Sequence, residues 1–141
     1  MPTITRDMSK GQLVALAFGQ DAVAASQTDV QLPVAMAEAS MVVAGYVAPW
    51  AGRVVAVAAS LSAAATAGTL TVGATFGGTE DADTTMTITT ETEKSVRVLR
   101  TAAEFAAGAV IGCEITSSGT WDGTTADLAA QIYVVYDVEG I

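Results

Sequence analysis

The chain has 141 residues, 51% of them apolar but only 6% aromatic, and carries 15 acids against 6 bases for a formal charge of −9. That is the length of one domain able to fold without a staple; the single Cys113 excludes an internal disulfide, and the lack of histidine excludes the usual zinc sites and imidazole-based catalysis. The six bases are scattered, so the cationic cluster that nucleic acid requires is missing, and an acidic surface is repelled by anionic membranes.

Residues 1–30 are polar, then briefly apolar, then polar again, with no sustained period of two. They predict an extended N-terminal arm ahead of a domain spanning 31–141. Arg6 and Lys10 before Leu13-Val14-Ala15-Leu16-Ala17-Phe18 imitate an export signal, but an apolar run of about six residues is short for one. The arm is too weakly patterned to fold alone, so its order is expected to come from a neighbour. Leu13, Val14, Leu16 and Phe18 are its candidate contact residues.

From residue 30 onward strands and turns alternate. Residues 41–48 predict a strand closed by Pro49-Trp50-Ala51-Gly52, a turn with an aromatic at its tip. In 53–62, Val55, Val57, Ala59 and Leu61 are expected inward, and in 69–76 Leu70, Val72, Ala74 and Phe76, with Thr69, Thr71 and Thr75 outward. Gly77-Gly78 ends that strand. Residues 86–89 and 96–99 read as a short pair joined by Glu91-Thr92-Glu93-Lys94, followed by a turn at 105–108. Residues 109–116 place Ile111, Cys113 and Ile115 on one face, and 129–138 place Ile132, Val134, Tyr136 and Val138 on another. The sum is an all-β antiparallel sandwich of about seven to eight strands, since connections this short hold no crossover helix.

No catalytic constellation stands out, and the reading is of a protein without enzymatic activity, cofactor or metal. Glu80, Asp81 and Asp83, with Glu91 and Glu93, offer oxygens to a calcium ion but lack EF-hand spacing, so a solvated acidic loop accounts for them. Cys113, between Ile111 and Ile115 on an inward face, reads as a small buried hydrophobe. Arg97 and Arg100 read as surface residues. For Trp50 two roles stand open, a contact residue or an aromatic cap over an end of the core; for Trp121 the cap is the expectation.

Ala48-Pro49-Trp50-Ala51-Gly52-Arg53-Val54-Val55, then Thr66-Ala67-Gly68-Thr69-Leu70-Thr71-Val72, Gly77-Gly78-Thr79 and Phe105-Ala106-Ala107-Gly108-Ala109-Val110-Ile111 succeed one another along the chain. Thr116-Ser117-Ser118 and Asp127 follow. The series resembles the small jelly-roll modules of tailed-bacteriophage capsid decoration (cement) and head-fibre proteins, over roughly residues 45 to 138. It departs from them at Ala109, where an acid is common, and at Gly78, where an asparagine is. The resemblance implies a jelly roll without chemistry, a homotrimer on the major capsid protein, and a place on the exterior of a virion assembled in the host cytoplasm. The expected function is to stabilise the capsid lattice through the arm and Trp50. The alternative is a carbohydrate- or receptor-binding module of a fibre or spike, with Trp50 and Trp121 lining one end.

Overall fold

A strand whose every second side chain is apolar must lay that face on another layer, and two such sheets bury each other. The computed structural model describes residues 12–35, 43–99 and 101–138, which are all-β apart from one 3-10 turn at Ala82–Thr84. Two antiparallel sheets pack as a sandwich. In the first, β1 (Gln12–Gln20), β11 (Leu128–Tyr136), β4 (Gly52–Leu61) and β8 (Glu93–Arg97) lie side by side in that order, with β9 (Glu104–Phe105) also on β4. In the second, β2 (Val30–Gln31), β10 (Val110–Ser117) and β5 (Leu70–Phe76) adjoin; β6 (Thr79–Glu80) and β7 (Met86–Ile88) pair with β5, and β3 (Tyr46–Val47) with β10. Leaving aside β3, β6 and β9, which continue the edges formed by β2, β7 and β8, the first sheet runs first, eighth, third, sixth in chain order and the second runs second, seventh, fourth, fifth. That is the winding of a jelly roll.

The core comes from the facing alternations. Phe18 of β1, Val54 and Val57 of β4, Leu70 and Val72 of β5, Ile111, Cys113 and Ile115 of β10, and Ile132 and Val134 of β11 are all buried. Burying a side chain such as Ile132 contributes about 1.5–3 kcal/mol.

Four expectations change. Residues 12–20 are not an arm: β1 pairs with β11 along its whole length, from Gln12↔Tyr136 to Gln20↔Leu128, so the domain extends well ahead of residue 31. The period of two was masked because the outward Ala15 and Ala17 are as apolar as the residues between them. In β4 the inward face holds from Val57 to Leu61, but before it Val54 points inward rather than Val55. A β-bulge explains this: Tyr133 pairs with Ala56 and Val134 with Val54, leaving Val55 as the extra residue that resets the phase. Segments 86–89 and 96–99 do not pair with each other, since β7 lies on β5 and β8 on β4. The chain between them crosses from one sheet to the other, through a turn in which the Glu91 carboxylate accepts the Thr89 and Thr90 N–H groups at 2.8 and 3.1 Å. Of the strand expected at 41–48 only β3 forms among the described residues, and Met41 and Val42 lie outside them.

Candidate interaction surface

A sandwich strand shows its second face to the surroundings, and the two sheets use theirs differently. On the second sheet the outward positions around Gln31, Thr75 and Glu114 are polar and bonded to one another, whereas Val47 and Val110, at one end of it, are apolar and exposed. Gln31 Nε2 donates to Glu114 Oε2 at 2.7 Å and its Oε1 accepts the Thr75 hydroxyl at 2.9 Å. Thr71 Oγ1 donates to Thr116 O at 3.3 Å, and Thr116 Oγ1 accepts the Asp29 N–H at 3.1 Å. Thr75 and Glu114, though outward on their strands, are therefore buried under this layer.

The outer face of the first sheet is built from small and apolar side chains. Register places Leu13 beside Val135 and Arg53, Ala15 beside Tyr133, Ala56 and Arg97, and Ala17 beside Gln131, Ala58 and Ser95. A shallow groove of about 410 Å³ runs across these rows, with Leu13, Val55, Ala58 and Tyr133 in its lining and Arg97 contributing the charged group. Solvent-facing strands normally carry polar side chains at such positions.

The two ends of the sandwich differ as well. At one, rings from both sheets close the core: Phe76 lies 5.8 Å from Phe105, and Phe105 lies 6.0 Å, edge-on, from Tyr136. Outside this cluster Leu13 is 63% exposed, Val47 66%, Trp50 39%, Leu99 76% and Val110 42%. All five belong to this end. Leu13 adjoins the Gln12–Tyr136–Gly52 row, the Trp50 ring leans on Tyr136 at 6.1 Å, Val47 pairs with Val110, and Leu99 follows β8. Of the charged groups here, Arg53 stands across from Glu104 in the register of β4 and β9.

The opposite end is closed by the chain's own loops. Trp121 is buried there and its Nε1 donates to Val23 O at 3.1 Å. Gly68, at φ +84°, lets the backbone pass: a Cβ would stand 2.4 Å from Trp121 N and Cα. Asp122 accepts the Thr66 and Ala67 N–H groups at 2.8 and 3.0 Å and also the Thr66 hydroxyl, which together hold its carboxyl below the usual range. Asp127 accepts the Ala22 N–H at 3.0 Å. Thr89, led by its backbone N–H, lowers Glu91 to about 2. The acids of this end are thus spent largely on loop backbone.

Of the residues expected at an interface, Leu13 and Trp50 come to the same apolar end, and Val14 is half-buried against the core. Leu16 and Phe18 are core, not contact, residues: they alternate with Leu13 and Ala15 on β1 and face the second sheet, where Phe18 meets the Tyr46 ring edge-on at 5.5 Å. Trp50 and Trp121 lie at opposite ends, so they do not line one platform. Cys113 is fully buried, and its thiol is pushed up to about 12, first by burial and then by the charges of Glu80 and Glu114. Among the described residues no three acids converge as metal ligands: Asp81 accepts the Asp83 N–H at 2.9 Å to cap the 3-10 turn, and Glu80 accepts the Thr85 hydroxyl. Arg100 lies outside the described residues. Sequence reading missed Ala15, Ala17, Ala56, Ala58, Tyr133 and Val135; the legible signal was strands apolar on both faces where threonine or lysine is usual.

No protein-family model matches the sequence, and no curated protein matches it.

Proposed function

We propose that the chain is a structural protein of a tailed-phage particle, a decoration or cement protein that binds the capsid lattice through its apolar end and the adjoining outer face of its first sheet. The observation that carries this reading is the gathering of Leu13, Val47, Trp50, Leu99 and Val110 at one end of an otherwise acidic molecule. Burying such surface contributes roughly 25 cal/mol per Å², and a stable contact covers about 800 Å² on each partner. The flat rows of alanine around Tyr133 allow close approach of another surface, while Arg97 and Arg53 offer charge-assisted hydrogen bonds to a partner's carboxylates. The acidic end then faces outward and discourages random association. The major capsid protein is the partner in this reading, a homotrimer the assembly, and the virion exterior the location. The jelly-roll winding and the motif resemblance support it together.

Light scattering after size exclusion is expected to give a trimer, and the protein is expected to pellet with empty tailed-phage heads. A monomer that stays in the supernatant would overturn the proposal. The second reading, a carbohydrate- or receptor-binding module, is favoured by one observation, the half-exposed Trp50, whose ring could stack on a sugar. Glycan-array signal lost on Trp50→Ala would favour it.

A further inference from the structure

Beyond that role, two carboxyl groups meet on the outer face of the second sheet. Glu114 of β10 stands across from Gly73 of β5 on one side and Gln31 of β2 on the other. Glu80 of β6, paired with Thr75, brings its carboxyl to the same place. Gly73 leaves the room: a Cβ there would lie 3.1 Å from Glu80 Oε1 and 3.0 Å from Thr85 Oγ1. Glu114 is only 5% exposed.

Donors at this spot are few. The Thr75 hydroxyl engages Gln31 Oε1, which fixes the amide so that Nε2 donates to Glu114 Oε2. The Thr85 hydroxyl donates to Glu80 Oε1. No other donor among the described residues reaches either carboxyl, and the two carboxyls stand within hydrogen-bonding reach of each other. The charged groups nearby are also acids: Asp29 at the head of β2, and Asp81 and Asp83 after Glu80. Facing strand β5 supplies only Thr71, Gly73 and Thr75. No lysine or arginine among the described residues compensates, since Arg53 and Arg97 lie on the outer face of the other sheet and Lys94 Nζ is held by Thr87 O at 2.5 Å and Glu91 Oε1 at 3.4 Å. Two adjacent carboxylates without a cation do not both stay ionised.

We infer that Glu114 holds a proton which it donates to the Glu80 carboxyl, and that this bond is a pH-sensitive latch, which holds β6 and the Ala82–Thr84 turn against the sheet while protonated and loosens them when the proton leaves. Burial first, then the hydrogen bond and charge of Glu80, then the charge of Asp29, raise Glu114 to about 7 from the ordinary 4.5. The folded chain therefore keeps a proton that the unfolded chain has lost. Its contribution to stability is complete below about 4.5 and disappears as pH rises through about 7. The held segment also packs through Thr84, whose hydroxyl donates to Asp81 O at 2.7 Å and accepts the Ala74 N–H at 2.9 Å, so loosening would reach the backbone of β5.

The test is a carbon-detected NMR titration of the glutamate carboxyls in the full chain, with thermal unfolding followed from about pH 5 to about pH 8. One glutamate carboxyl is expected to titrate near pH 7, and the unfolding midpoint to fall across that range. In Glu114→Gln the amide donates to Glu80 and has no proton to lose, so this fall is expected to vanish; in Glu80→Gln the remaining carboxyl is expected to titrate lower. All glutamates titrating in the ordinary range, or Glu114→Gln keeping the wild-type pH profile, would overturn the latch. Should a variant fail to fold, the wild-type titration decides.

Discussion

Trp121 and Trp50 sit at opposite ends of one sandwich, and the ends are finished in opposite ways. Around Trp121 the chain supplies its own cover, with Gly68 passing at close range and Asp122 and Asp127 bonding the loop backbone. Around Trp50 the chain stops at a ring cluster of Phe76, Phe105 and Tyr136 and leaves large apolar side chains outside it. The hydrophobic driving force is the same at both. What differs is who supplies the cover, and the outer face of the first sheet continues the uncovered surface. An end sealed by polar loops belongs to folding; an end left apolar is available to binding.

The contrast predicts unequal effects of similar changes. Trp121→Ala removes a buried ring and the bond to Val23, and is expected to lower the free energy of unfolding by about 3–5 kcal/mol in denaturant titrations. Gly68→Ala, strained at positive φ and pressed on the Trp121 backbone, is expected to cost about 1–3 kcal/mol in the same measurement. Trp50→Ala should change stability by only about 0.5 kcal/mol, as exposed positions do. A loss at Trp50 as large as at Trp121 would break the comparison. The smallest effect concerns pH at the closed end. Glu91 lies at about 2 in the fold against an ordinary 4.5, so its contribution is present above about 4.5 and is lost as pH falls through 2, the reverse of the carboxyl pair. Glu91→Gln is expected to flatten the acid limb of the thermal midpoint and leave the limb above neutrality unchanged.

Much of the sandwich was legible in the residues, for reasons that also explain the failures. β5 alternates apolar with polar or small residues over its full length, β10 does so from Ile111 and β11 as far as Ile132, so Leu70, Val72, Ile111, Cys113, Ile115, Ile132 and Val134 read as inward and are buried. β1 has no such contrast. Leu13 to Phe18 is apolar throughout, and which half faces inward is decided by β11, not by hydropathy, so the sequence alone does not separate the buried Leu16 and Phe18 from the exposed Leu13. The bulge at Val55 carries no local signature. β7 and β8 are short enough to satisfy either sheet, so their partners are set by tertiary packing. Trp50 could be flagged as a surface aromatic because a Pro-Trp-Ala-Gly turn has to project. The alanine face around Tyr133 escaped because alanine is read as filler in either environment.

The central claim is that the open end and its adjoining sheet face bind while the closed end does not. Co-sedimentation with empty tailed-phage heads of the wild type, a Leu13→Asp/Trp50→Asp variant and a Thr120→Asp/Thr124→Asp control at the closed end tests it most directly. The account predicts that wild type and control pellet with the heads, whereas the Leu13/Trp50 variant stays in solution with an unchanged thermal midpoint. Equal pelleting of all three, or none pelleting at all, would contradict it.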